Sequence, residues 1–537
     1  MSTFNSTGGG SINQTFRSAV ERFPDEVFLD FSGDVFTYAA MATRVESFAR
    51  GLHALGVQSG DRVVTMLNTG PDAVMSWLAA NHLGAILVPI NTAYKGEFLR
   101  HQLSDAGART AIIDAEYLPY LAMIRAELPV LEHVLYSGAR LAAEDGVSHI
   151  DEHRFDAGEA PYVEVTPSNI AMLLYTSGTT GPSKGCIVSH NYICDLSRRF
   201  AGMGKATPEE TVWTPLPLYH IYAITIVVSA MQMGGRASFA RRFSVSGFWS
   251  EILRSKAKVV NLLGSMASMI ANAPDTADSK ACYGQIRALL CTPTPPSLKQ
   301  AWRERFGVGS AGLIAYGQTE AGAMVTCACD EAVPDNCAGR LIDTFDVRIL
   351  DDNDEELPRN HVGEVVVRPL KPNVMFSGYW NLPSSSFALA ANYWHHTGDL
   401  GKIDEEGYFF FVDRKKDYLR RRGENISSFE VEQTLAKHPA ISEVAIHSVP
   451  SAVTEDDIKA TIVLHAGATL SAPDLYAWAA DRIPRFALPR YIEFRNELPK
   501  NAVGRLLKYQ LRDDGVTEST WDQEIAVTTK TIKTVRI

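Results

Sequence analysis

The sequence predicts an α/β protein: a large N-terminal domain with mainly parallel sheets and flanking helices, then a small α+β C-terminal domain. Three observations predict it. The 537 residues exceed one compact domain, which usually holds about 150 residues. Short β-rich runs alternate with helical patterns through most of the chain, as parallel βαβ units require. The character then changes near "FVDRKKDYLRRRGEN" (411–425), where the apolar "YFFFV" gives way to charge, with Gly423 and Asn425 as turn signals.

One βαβ unit can be followed in order. "RVVTML" (62–67) reads as a strand, and "PDAVMSWLAANHL" (71–83) as a helix opened by Pro71 and stopped by Gly84. "AILVPI" (85–90) reads as the next buried strand. Beyond a boundary near residue 415 come a helix-like "SFEVEQTLAKH", strand-like "EVAIHSV" and "KATIVL", and a helix-like "APDLYAWAADRI". The last stretch, "VTESTWDQEIAVTTKTIKTVRI", reads as a surface extension. The predicted domains are 1–414 and 415–537.

Composition narrows the function. A net charge of −11 argues against nucleic acid as the main partner, because a duplex-binding surface carries a basic excess. It leaves room for a small anionic ligand in a local pocket. The start, "MSTFNSTGGGSINQTF", has no charged segment followed by an apolar run, so no secretory signal is expected. No window reaches the 18 or so unbroken apolar residues of a membrane helix. Of the seven cysteines only Cys327 and Cys329 lie close together, without a second pair at zinc-site spacing. Reduced, mostly buried thiols in a cytoplasmic protein are expected.

Chemistry concentrates in "LLYTSGTTGPSKGCIVSH" (173–190). A Walker A loop requires G-x-x-x-x-G-K-[ST], which Gly178, Gly181 and Lys184 do not satisfy. The physical logic is similar. Glycines allow close backbone approach, the hydroxyls of Thr176, Ser177, Thr179 and Thr180 can bond phosphate oxygens, and Lys184 adds charge. A flexible Ser/Thr/Gly surface loop is the bland alternative; a lysine set between glycines and closely following an apolar strand argues against it.

"YTSGTTGPSKG" closely resembles the phosphate loop of the adenylate-forming superfamily of AMP-binding acyl-CoA synthetases, luciferases and peptide-synthetase adenylation domains. Further motifs agree in order across nearly the whole chain. "PLYH" (217–220) resembles the aromatic-His element before the acyl pocket, "AYGQTE" (315–320) the family's Y-G-x-T-E, and "HTGDL" (396–400) its T-G-D. "DRKKDYLRRRGEN" resembles the domain hinge and the loop after it.

The resemblance implies an ATP-dependent acyl-CoA ligase. A carboxylic acid is activated as acyl-AMP with release of pyrophosphate, and the acyl group then passes to the thiol of CoA. It implies that Thr176, Ser177, Gly178, Thr179, Thr180, Gly181 and Lys184 hold the pyrophosphate portion of ATP. Tyr316, Gly317, Gln318 and Thr319 would line the nucleotide, with Tyr316 on adenine and Thr319 at the α-phosphate. Glu320 would bind Mg²⁺ with Thr176 beside it, and Asp399 and Arg414 would take the ribose. His220 would gate the acyl pocket. The small domain would be mobile, turning about Lys416 after adenylation to bring Gly423, Glu424 and Asn425 to the pantetheine tunnel. Gly423 suits that place on physical grounds, since a thiol arm passing close to backbone leaves no space for a Cβ.

Two departures stand out. The family's C-terminal signature P-K-x-x-x-G-K ends in a catalytic lysine, whereas "LPKNAVGRLLK" (498–508) places Arg505 there. Arginine keeps the charge but is planar and forked, so either Arg505 does the work, Lys508 reaches in instead, or adenylation is impaired. Where many members carry G-G-A, "TPTPP" (292–296) removes backbone donors, which puts adenine contacts from that strand end in doubt.

"FVDRKKDYLRRRGENISSFEVE" and "HPAISEVAIHSVPSAVTEDDIKA" are similar to the carnitine/crotonobetaine–CoA ligase-like branch. His220, Ile221, Tyr222, residues 264–269, Gly317 and 321–323 would form a small, apolar acyl wall. The alternatives are a standalone adenylating enzyme that loads a carrier protein and a non-catalytic binding protein of the same fold. A CoA requirement for product release separates the first from a ligase. Whether the chain forms a homodimer stays open.

Overall fold

The computed structural model describes residues 10–142, 146–158, 160–176, 183–292, 294–312, 315–388, 391–415, 419–421, 424–426, 428–450, 456–483, 487–500 and 506–524. The chain forms two compact units. The first takes in 1–347, 367–395 and 407–409; the second takes in 348–366, 396–406 and 410–537.

Two seven-stranded sheets organise the first unit. In one, the strand Arg62–Met66 lies between Ile86–Pro89 and Thr110–Asp114, all parallel. The predicted βαβ unit is therefore present. Its helix runs Pro71–His82 with proline at the first position, where a missing N–H costs nothing. Gly84 follows at φ +69°, where a Cβ would stand 2.7 Å from Ser59 Oγ. The last pair of this sheet, Ile170–Thr176 and Lys184–Ser189, is antiparallel. In the other sheet, Thr211–Thr214 lies between Arg236–Phe239 and Val259–Leu263, also parallel.

One continuous core joins the sheets, taking Leu29 and Phe239 from one and Met172 and Val188 from the other. The helices Tyr38–Ala54, Pro71–His82, His190–Gly204 and Ile221–Met233 add Phe48, Trp77, Tyr192 and Val227 to it. The helix Ile221–Met233 has nine consecutive buried positions, Ala223 to Met231, as expected of a segment apolar all round. Separate clusters around Trp213, Trp249 and Trp302, and around Val64, Leu99 and Ile113, bury further helices against the two sheets.

The second unit contains the antiparallel strands Ile441–Pro450 and Asp456–Leu464, with Tyr491–Phe494 added parallel to the latter. Helices Ser428–Leu435 and Ala472–Ala480 bring Val431 and Leu475 onto a core of Ile446, Ile458 and Ile462. These are the helices and strands the sequence predicts. One reading changes: within the supposed surface extension, Trp521–Asp522 pairs antiparallel with Tyr491–Ile492 as an edge strand. The indole of Trp521 is partly buried against the core, which explains why so polar a segment is held there.

Candidate active site

In the first unit, the outgoing and returning strands of the phosphate-loop hairpin place Thr176 directly opposite Lys184. Ser177, Gly178, Thr179, Thr180 and Gly181 lie outside the described residues. Thr176 Oγ1 stands 3.9 Å from the Sγ of buried Cys186. Burial pushes the Cys186 thiol well up, with the nearby Glu320 charge acting in the same direction. Lys184 Nζ lies 5.0 Å above the ring of Tyr379 and, among the described residues, has no acidic partner.

Thr319 and Glu320 sit at the turn between the antiparallel strands Ala315–Gln318 and Gly322–Thr326. The turn permits no side chain at 317, where a Cβ would meet Gly322 O at 2.0 Å. The helix His190–Gly204 holds the turn from behind. Tyr192 Oη donates to Thr319 O over 2.8 Å, and the Arg199 guanidinium donates to Ala323 O. The Nε of Arg199 also donates to Asp195 over 2.9 Å, so this cation is already paired. Glu320 is 8 % exposed, and its Oε1 accepts from Tyr379 Oη over 2.7 Å. Burial and the Glu320 charge raise the Tyr379 pKa, which keeps the phenol a donor.

Tyr316 is buried, with its ring centroid 4.8 Å from that of Phe409. Gln318 Nε2 lies 3.2 Å from His395 Nε2. His220 precedes the helix Ile221–Met233 without capping it through its side chain, and its ring centroid is 4.9 Å from that of Tyr219. His220 is exposed, and desolvation by the surrounding protein atoms lowers the pKa of its imidazole. Tyr222 Oη donates to Asn261 Oδ1 over 2.7 Å, while Leu263 and Met269 stay exposed. At the "TPTPP" segment, Pro296 begins the helix Pro296–Phe306 and Thr294 Oγ1 donates to Cys291 O.

The second unit holds Asp399. The carboxylate-bearing residue is 8 % exposed, and its N–H donates to Thr397 Oγ1 over 3.1 Å. Thr397 Oγ1 donates in turn to Val365 O over 2.6 Å. Beside it, Glu364 accepts from Gly398 N, His396 Nδ1 and Lys415 Nζ at 3.2, 3.2 and 3.0 Å. Burial works to raise the Glu364 pKa, but the bonds from His396 and Lys415 outweigh it and hold it below the usual carboxylate range. Lys415 N–H donates to Gly398 O over 2.9 Å, which runs the end of the strand Tyr408–Arg414 beside the Gly398–Asp399 backbone. Glu424 and Asn425 form a strand pair with Arg421 and Arg420. Lys416, Gly423 and Arg505 lie outside the described residues. Lys508 is engaged: its Nζ donates to Ser428 Oγ over 2.6 Å and pairs with Glu432 at 2.9 Å.

The structure thus brings Thr176, Lys184 and Glu320 into one neighbourhood through Tyr379 and Cys186. Sequence reasoning missed Tyr379, Tyr192 and Glu364. Their partners lie 59, 127 and 32 residues away, beyond any local periodicity.

The donor set fits Mg²⁺. Glu320 is a mostly buried carboxylate that accepts from the neutral Tyr379 hydroxyl and makes no ion pair among the described residues, where no three potential metal ligands cluster. Mg²⁺ characteristically takes one or two protein carboxylates together with substrate phosphates and water.

Known proteins resemble the chain over nearly its whole length. The chain is 29% identical over 525 residues to the crotonobetaine/carnitine–CoA ligase of Salmonella typhi, covering 94% of this chain and 99% of that one. Its structure resembles ATP-bound MatB from Rhodopseudomonas palustris, with a TM-score of 0.83 at 26% identity over 94% of this chain and 99% of the other. It also resembles the o-succinylbenzoate CoA synthetase of Bacillus subtilis in complex with the acyl-adenylate OSB-AMP, with a TM-score of 0.81 at 25% identity over 93% and 98%. The C-terminal domain model of AMP-binding enzymes matches residues 430–505. With the AMP-binding enzyme model matching residues 16–380, the chain belongs to the AMP-binding enzyme family.

Proposed function

We propose that this ATP-dependent acyl-CoA ligase takes an acid with an apolar tail, adenylates it at the Thr176–Lys184–Glu320 site, and completes the thioester after the domain 415–537 turns about Lys416. A carboxylate oxygen attacks the α-phosphorus of ATP, and the P–O bond electrons leave with pyrophosphate. The sulfur of CoA then attacks the acyl carbon, loses its proton, and expels AMP. The first step gathers several anionic groups, so aligned cations and donors lower its barrier.

Lys184 and the loop 176–181 would neutralise the pyrophosphate portion. Thr319, whose carbonyl Tyr192 holds, would present its side chain to the α-phosphate. Glu320 and Thr176 would hold Mg²⁺, which supplies further charge to the phosphates when bound. Tyr316, Gly317 and Gln318 would line the base, and Asp399 and Arg414 the ribose. Arg505 would bridge carboxylate and α-phosphate; the commitment of Lys508 to Ser428 and Glu432 supports Arg505 over Lys508 for that role. Glu424 and Asn425, with Gly423, would meet the pantetheine arm.

The exposed Leu263 and Met269, with Tyr222 already bonded to Asn261, support an apolar acyl wall. Seven free cysteines support a reducing, cytoplasmic setting. No helix among the described residues is long and apolar enough to cross a membrane. Light scattering will decide between a monomer and the homodimer that we propose to test for.

The observation that carries this reading is a lysine and a mostly buried glutamate, each without an oppositely charged partner among the described residues, sharing one tyrosine, the lysine following a hydroxyl-rich stretch in sequence. The test is a panel of short, branched, aromatic, steroid-type and betaine-like acids with ATP, Mg²⁺ and CoA, read by mass spectrometry. A CoA thioester with one apolar class is expected. Pyrophosphate without thioester would reject the CoA step.

A further inference from the structure

We infer that Tyr379 is a positioning residue, a neutral bridge that sets the Glu320 carboxylate and the Lys184 ammonium at fixed places for MgATP without neutralising either. The inference rests on the assignment of Glu320 and Lys184 to that site.

The backbone around Tyr379 is stitched to both of them. At one end Phe376 N–H donates to the carbonyl of Glu320 itself over 2.9 Å. Ser377 N–H then donates to Ile187 O, Ile187 N–H to Gly378 O, and Trp380 N–H to Gly185 O, at 2.9, 3.0 and 2.8 Å. The segment 376–380 therefore lies along the strand that carries Lys184. Gly378 makes the turn into it at φ +117°, where a Cβ would press on Ser386 Oγ at 3.0 Å. Ser386 Oγ in turn accepts from Tyr379 N–H over 2.8 Å. A side chain so fixed, 8 % exposed, has little freedom to choose its contacts.

Those contacts divide between two parts of one residue. The hydroxyl donates to one oxygen of Glu320 over 2.7 Å, and the ring face lies 5.0 Å beneath Lys184 Nζ. An arginine or lysine in this place would cancel the carboxylate, and an aspartate would cancel the ammonium. A phenol orients both and leaves both charges available, the carboxylate for a cation and the ammonium for phosphate.

The hydroxyl and the ring can be removed separately. Calorimetric binding of ATP to the full chain, in Mg²⁺ and in EDTA, compares wild type with Glu320→Gln, Tyr379→Phe and Tyr379→Met. Glu320→Gln tests the underlying assignment: binding that keeps its full Mg²⁺ dependence would remove Glu320 from the metal site whatever Tyr379 does. Tyr379→Phe keeps the ring and loses the hydroxyl, so ATP binding should weaken about tenfold in Mg²⁺, the weight of one hydrogen bond to a charged group, and stay unchanged in EDTA. In pyrophosphate exchange the Mg²⁺ half-saturation should rise by a similar factor, with the KM for the acid unaltered.

Tyr379→Met lacks both parts and should weaken ATP binding in Mg²⁺ and in EDTA alike; its flexible side chain keeps the test readable if Phe distorts the fold, which thermal melting will show. Combining Tyr379→Phe with Glu320→Gln should add nothing to Glu320→Gln alone. In Tyr379→Phe, wild-type Mg²⁺ dependence or an equal loss with and without Mg²⁺ would overturn the inference, as would independent effects in the double variant.

Discussion

Two lysines of this chain meet opposite surroundings. Lys184, at the start of the strand Lys184–Ser189 in the larger unit, has an aromatic face and no acidic partner among the described residues. Lys459, in the smaller unit, is fully buried, pairs with Glu493 and donates to Gly515 O over 2.6 Å. Lys508 is similar, bound to Ser428 and Glu432. A cation that serves the fold brings its own counter-charge, because an unpaired buried charge is too unfavourable to keep. A cation left without one, on the same tyrosine as a carboxylate that makes no ion pair among the described residues, suits a charge that arrives with a ligand, as proposed for Lys184. On that proposal the difference separates structural from functional charge within one molecule.

Exchanging the lysines' roles is the strongest way to break this comparison. Lys184→Met should lower the rate of pyrophosphate exchange by about 100- to 1000-fold, the weight of one donor at a developing charge, with no loss of melting temperature. Lys459→Met should do the reverse. It leaves the buried Glu493 without one of its cations and should remove about 3 kcal/mol of stability in urea titration, with normal exchange in the fraction that stays folded. Lys508→Ala should cost about 1–2 kcal/mol and leave adenylation intact, whereas Arg505→Ala should abolish it; adenylation lost in the first variant and kept in the second would reverse that assignment.

Acid titration sharpens the comparison from another side. Burial works to raise the Glu493 pKa, but bonds from Arg495 and Lys459 outweigh it and bring it to about 2, against 4.5 for an unperturbed glutamate. A depressed carboxylate stabilises the fold above the unfolded-state pKa and loses that contribution as the pH falls through the folded one. Stability of the wild-type unit should therefore decline between about pH 4.5 and 2, and Glu493→Gln should flatten that decline. The smallest effect is expected at Tyr192→Phe, which frees Thr319 O and should slow adenylation a few-fold.

Much of this was legible in the sequence where a local rule applied. Pro71 and Gly84 bound a helix because one lacks an N–H and the other tolerates positive φ. The hydroxyl-rich loop and "AYGQTE" announced themselves by composition and order. Tyr379 did not, because a tyrosine in "FSGYW" carries no periodic signal and acquires its role only when the chain returns beside Lys184–Ser189. The same holds for Trp521–Asp522, whose two residues are too few to show alternation. Glu364 sits near the start of the mostly buried strand Gly363–Pro369, and only the folded chain turns His396 and Lys415 onto it.

The clearance at Gly317 has a consequence for how such an enzyme can change over generations. Its missing side chain would collide with a carbonyl rather than with a movable neighbour. Drift cannot install even a methyl group there without displacing the turn that carries Thr319 and Glu320. Under the proposed assignment, new acyl specificities would arise elsewhere on the wall, among exposed positions such as Met269, and the turn would pass through such changes untouched.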